Sequence, residues 1–171
     1  LYRGPAELLR STARRLGLPA TITIITEPSH ATACFSETLP VLNFGLKSNV
    51  SEGRPSPETA ANVIESIDIC VGLAMEGQVA GVVTNPIQKS VLKAAGFKHP
   101  GHTEYLQFLA GEGFRATMLL AGGGLRVVPV TIHQSLASAV QSLSSGAIVA
   151  TAIETADGLR RDFGIANPRL A

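Results

Sequence analysis

Three short stretches carry residue types able to do chemistry. Gly101-His102-Thr103-Glu104 joins a glycine that lets a ligand approach the backbone to an imidazole that can donate or accept, at what reads as a helix start whose free N–H groups favour anions. Thr84-Asn85-Pro86, with Lys89 one turn into a following helix, offers a second helix start with a cation beside it. His133 closes the apolar run Arg126-Val127-Val128-Pro129-Val130-Thr131-Ile132, where burial and restricted orientation suit a metal ligand or a catalytic imidazole. Each stretch also has a plain structural role open to it. Asn85 can cap an ordinary turn, His102 can be the N-cap of its own helix, and His133 can be a satisfied histidine at a strand end.

Other reactive residues fall in no productive pattern. His99 lies three residues before His102, but Pro100-Gly101 between them denies a shared helical face, so His99 is expected in a solvated loop rather than in a metal pair. His30 reads as surface, and Glu27, Glu37, Glu52 and Asp68 form no evident pairing. Cys34 and Cys70 are 36 positions apart and give neither a disulfide framework nor a Cys-x-x-Cys knuckle. No Gly-x-Ser-x-Gly elbow surrounds the serines of 142–146, so covalent catalysis is not indicated. Gly122-Gly123-Gly124 lacks both the G-x-G-x-x-G spacing and a following Gly-Lys-Ser/Thr, which makes it a turn rather than a phosphate cradle.

The elements that must position these groups alternate between helical and strand-like patterns. A helix opened by Pro5 puts Leu8, Leu9, Ala13 and Leu16 on one face before Gly17 and Pro19 stop it. Residues 21–26, alternating Thr and Ile, predict an edge or near-edge strand, and 39–44 a further short one. Ser56-Pro57-Glu58 has the form of an N-cap, a Pro in the first turn and an early acid, predicting a long helix to about Glu76. Residues 79–84 then read as a buried strand, 89–95 as a helix ended by Gly96, and a helix from about His102 ends at Gly111 or Gly113. Strands over 116–121 and 125–132 flank the glycine turn, and helices from about Leu136 and over 147–163 follow. Strand, polar turn and helix in succession predict an α/β protein, with ligands at the turns after the strands.

Composition narrows the class. The chain has 171 residues, 45% hydrophobic and 16% charged with a formal net charge of +1, so one domain or a large piece of one is expected. That balance excludes a disordered chain and argues against nucleic acid or an acidic membrane as partner. The 27 residues 127–153 carry no Asp, Glu, Lys or Arg, but ten are Ser, Thr, Gln or His, which suits a bilayer badly. With no targeting segment visible, a cytoplasmic location is expected. Leu1 in place of a start methionine, and 167–171 reading as the entry to an uncompleted strand, predict a piece of something longer.

Four motifs occur in an order and spacing that resemble 4-hydroxythreonine-4-phosphate dehydrogenases of pyridoxal-phosphate biosynthesis. They are Val82-Val83-Thr84-Asn85-Pro86-Ile87-Gln88-Lys89, Ala95-Gly96-Phe97, Pro100-Gly101-His102-Thr103-Glu104, and Val127-Val128-Pro129-Val130-Thr131-Ile132-His133. The resemblance extends to Arg161-Asp162-Phe163-Gly164-Ile165-Ala166-Asn167-Pro168-Arg169 and so covers essentially the whole chain. It implies a three-layer α/β/α fold like that of isocitrate and isopropylmalate dehydrogenases, incomplete here, with 1–171 as a central portion and N- and C-terminal segments missing. It further implies oxidation of the substrate's secondary alcohol by NAD or NADP, and loss of carbon dioxide from the β-keto acid to give 3-amino-2-oxopropyl phosphate. The resemblance also implies a divalent metal (zinc, magnesium or cobalt) that polarises the alcohol and the ketone.

Matched residue by residue, His102 and Thr103 fall on the family's substrate-binding pair and His133 on the first of three metal-ligating histidines, with Asn85 and Lys89 as weaker candidates. The other two metal histidines would lie beyond Ala171. A homodimer with a shared active site, binding a small phosphorylated substrate, is implied. The alternatives are a paralogous dehydrogenase of a four-carbon phosphorylated sugar acid and a catalytically inactive folded fragment.

Overall fold

Three short parallel strands organise the first part of the chain. β1 (Tyr2–Gly4), β2 (Ile22–Ile25) and β3 (Leu39–Asn43) lie in the order β1-β3-β2. The crossovers that parallel pairing requires are α1 (Ala6–Arg15) and the short α2 (Ala31–Cys34). The computed structural model describes residues 1–46, 50, 51 and 53–171.

α1 carries Glu7 in its first turn and Arg14 and Arg15 in its last, each complementing the helix dipole. Its N-cap, Pro5, offers no side chain, so the capping acceptor comes from the sheet: Asn43 Oδ1 at the end of β3 accepts the Ala6 N–H at 2.8 Å. β2 lies at the edge, as its alternation of Thr and Ile predicts, and Val41, Pro40 and Ile25 of β3 and β2 are buried. Pro40 sits in the middle strand without an N–H to give. It pairs only with Thr23 of β2, since the β1 ladder begins one residue later at Val41.

α3 (Ala60–Met75) begins as its cap signal predicts, through a 3-10 turn over Pro57–Thr59, with Ser56 Oγ accepting the Glu58 N–H at 3.2 Å. α4 (Lys89–Ala94) and α5 (His102–Ala110) complete this part. An apolar cluster of Ile67, Val71 and Tyr105, with Ile87 and Phe97 packed against it, joins α3, α5 and the two loops that lead to α4 and α5.

The expected strand over 79–84 does not form. Gln78 and Val79 instead donate back to the Leu73 carbonyl at 2.9 and 3.3 Å, Val83 is fully exposed, and no described strand pairs with this segment. An apolar run becomes a parallel strand only where neighbours take up its N–H and C=O groups.

The chain divides into two compact units, Leu1–Phe114 and Arg115–Ala171. In the second, β4 (Leu120–Gly122) and β5 (Leu125–Val127) pair antiparallel around Gly123 and Gly124, whose φ values of 57° and 81° are those of a two-residue hairpin turn. Both strands are shorter than the predicted 116–121 and 125–132; Pro129, which has no donor, follows closely on β5. α6 (Leu136–Ser142) and α7 (Ser145–Phe163) follow, bent by 92° at the break between them. Their starts are capped by Ser135 and Ser144. No single helix among the described residues is long and apolar enough to cross a membrane.

Candidate functional site

α5 begins at His102, not before it. Gly101 is its N-cap and supplies no side chain, so His102 is the first helical residue and its ring is released from the capping role that the sequence left open. Gly101 has an extended φ of −162°, which any residue adopts. A methyl group there would lie 2.9 Å from the Glu104 carboxylate and 3.4 Å from the Lys89 ammonium, which both fold over this buried position.

The wall of a cavity of about 590 Å³ within the first unit includes His102, Thr84, Asn85, Gln88 and, from α3, Ser66 and Cys70. That size is ordinary for a small-molecule site. His102 Nε2 is buried and has no hydrogen-bond partner. A buried polar nitrogen left unpaired costs of order 1–3 kcal/mol, and the residue that carries it lines the cavity. The Asn85 and His102 stretches, separate in sequence, thus meet at one cavity, and Lys89 stands beside it over Gly101. Thr103, next along α5, is exposed and is not part of that wall.

Cys70 also faces the cavity. Burial pushes its thiol up from the ordinary value, against partial opposition from Arg3 and a hydrogen bond with Ser66, so it is no thiolate nucleophile.

Two histidines differ from expectation. His99 is half-buried rather than free in a solvated loop: its ring packs 4.8 Å from Tyr105, 4.8 Å from Phe108 and 5.2 Å from Phe97 between centroids, because the chain turns at Pro100-Gly101 and lays it on α5. His133 belongs to the second unit and is neither buried nor in a strand, since β5 ends six residues earlier. Its φ of 54° makes it the one described non-glycine residue in the left-handed region, a conformation that costs about 1 kcal/mol or more and is often kept for function. His30 is exposed, with Thr26 Oγ1 3.5 Å from its Nδ1.

Among the acids left unpaired by sequence, Asp68 on α3 accepts a short hydrogen bond from the Tyr105 hydroxyl. The partners are 37 residues apart and carry no local signal; only the i, i+3 spacing of His102 and Tyr105 hinted that they share a face. Glu52 lies outside the described residues.

Among the described residues no group of three or more His, Cys, Asp and Glu could hold a metal ion. The residues present therefore do not build a complete site for the implied divalent metal, which needs three protein ligands in its catalytic form. Equilibrium dialysis of the chain against zinc is expected to show no stoichiometric uptake. Tight uptake that disappears in His133→Ala would contradict this.

A parallel α/β unit with a polar-edged cavity beside a helix start, followed by a second compact unit, defines an α/β protein with room for a small molecule in its first unit. The sequence matches the family described as pyridoxal phosphate biosynthetic protein PdxA over residues 1–171, and the chain belongs to that family. It is 45% identical over 173 residues to a 4-hydroxythreonine-4-phosphate dehydrogenase of Caulobacter vibrioides, covering 98% of this chain and 51% of that protein. A relative of the same name from Erythrobacter litoralis is 43% identical, with 98% and 50% covered. The crystal structure of such a dehydrogenase from Burkholderia phymatum superposes with a TM-score of 0.88 at 29% identity, over 99% of this chain and 51% of that one. The chain spans about half the length of the relatives it matches.

Proposed function

We propose that this chain supplies the His102 side of the active site of a 4-hydroxythreonine-4-phosphate dehydrogenase, acting on 4-phosphooxy-threonine in pyridoxal-phosphate biosynthesis. The observation that carries this is the unpaired, buried Nε2 of His102 at a cavity edged by Asn85, Thr84 and Gln88, in a chain matched to the family from end to end. His102 orients the substrate by a hydrogen bond from its ring, and Lys89 adds positive charge for the phosphate. Thr103 contributes from the exposed first turn of α5.

NAD or NADP, when bound, would supply the hydride acceptor for oxidation of the substrate's secondary alcohol. A divalent metal would draw one ligand from His133, the remainder coming from outside the described residues. A reaction fed by a diffusible nicotinamide cofactor and a phosphorylated metabolite suits the cytoplasm.

We further propose a homodimer. In the uncharged stretch of the second unit, Leu136, Val140, Val149 and Ile153 are from 56% to 82% exposed, apolar surface that a partner subunit would cover.

The test uses the chain completed with the half of a family relative that lies outside the match. His102→Asn should leave the melting temperature unchanged and weaken substrate binding by calorimetry at least about tenfold, or 1.4 kcal/mol, the worth of a charge-assisted bond. Unchanged affinity would refute the substrate role. Turnover of a four-carbon phosphorylated sugar acid in preference to 4-phosphooxy-threonine would move the protein to the paralogous activity.

A further inference from the structure

We propose that Tyr105, held by Asp68, is a positioning residue that fixes the His102 imidazole at the cavity wall. This rests on His102 as the substrate ligand and deepens it. α3 and α5 both contribute to that wall, through Ser66, Ile67 and Cys70 on one side and His102 on the other. Across the seam between the two helices, the bond from the Tyr105 hydroxyl to Asp68 is a polar tie set within apolar contacts.

Tyr105 stands one turn after His102 on the same helical face, 6% exposed, and packs with Ile67 and Val71 of α3. Its ring also meets Phe97 edge-on at 4.9 Å and His99 at 4.8 Å, so one side chain grips both the segment that enters α5 and the helix that leaves His102. The grip is needed because Gly101 caps the helix without a side chain, leaving its first turn no local anchor. Burial, the bond to Asp68 and the charge of Asp68 push the Tyr105 hydroxyl up to about 12, so it remains a donor throughout the working range of an enzyme. Ile87 packs on the same cluster, which hangs the Asn85–Gln88 turn and the His102 turn from one support.

The imidazole resonances of the four histidines, assigned by NMR in the chain itself, provide a readout that needs no ligand. In Tyr105→Phe, which removes only the hydroxyl, and in Asp68→Ala, which removes its acceptor at an exposed position, the His102 signals should shift and broaden while those of His30 and His133 stay in place. In the completed protein Tyr105→Phe should weaken 4-phosphooxy-threonine binding about fivefold, and add nothing further in a His102→Asn background.

Unmoved His102 resonances, or an equal loss in both backgrounds, would overturn the proposal. A merely structural role lowers the melting temperature without either signature. If the wild-type completed protein binds no substrate, the assignment of His102 as ligand fails, whereas the imidazole spectra still decide whether Tyr105 positions it.

Discussion

His133→Ala, in the chain completed with the remaining half of a family relative, is expected to lower turnover more than about a hundredfold, with the bound metal lost in parallel. Removing even an outer partner of a metal ligand costs 10–100-fold, and a direct imidazole ligand in a three-ligand site costs more. The left-handed backbone at His133 allows a control that separates coordination from strain. Asn tolerates that conformation better than Ala does but is a far poorer metal ligand. His133→Asn should therefore match the wild type in melting temperature and match His133→Ala in lost turnover, both read from nicotinamide absorbance and metal content. Full activity in His133→Asn would remove His133 from the metal site.

Leu92→Ala should destabilise the first unit by about 2–5 kcal/mol, the range for emptying a buried leucine site. Leu92 is 2% exposed, the largest of the fully buried side chains, and its carbonyl accepts the N–H groups of Ala95 and Phe97 at 3.1 and 2.9 Å, closing α4 ahead of the loop to α5. Because it borders the cavity, truncation enlarges an existing space, and the neighbours have little to collapse against. Against a typical total stability of about 5–15 kcal/mol, the urea midpoint should fall steeply. Val83→Ala, at a fully exposed position, should change it by less than about 0.5 kcal/mol. Comparable shifts for the two would show that Leu92 is not a core anchor.

The sequence made legible what is decided within a few residues. Pro5 and Gly17 bound α1, Ser56-Pro57-Glu58 opens the turn into α3, Gly96 and Gly111 end α4 and α5 at φ of 89° and 87°, and the paired glycines set the β-hairpin. Asn85, Lys89 and His102 are legible as residues at or before helix starts; Asn85 and His102 line one cavity, and Lys89 lies over Gly101. What failed depends on distant partners. Residues 79–84 have the apolarity of a strand without the neighbouring strands, and His133 has an apolar run before it without the ladder that would bury it. The tie from Tyr105 to Asp68 and the aromatic packing of His99 arise only when α3, α5 and the 97–99 segment meet. A periodicity count contains no term for that.

The division into two units also determines what light can see. The chain has no tryptophan and two tyrosines, Tyr2 and Tyr105, and both fall in Leu1–Phe114. Near-ultraviolet fluorescence is thus a private channel to the cavity-bearing unit, while Arg115–Ala171, with Phe163 as its one aromatic residue, stays almost dark. Amide circular dichroism, dominated in the second unit by the 19-residue α7, records both. Coincidence of the two unfolding curves would mean that the units melt as one cooperative body, and the gap between them, if they part, measures how far each stands alone.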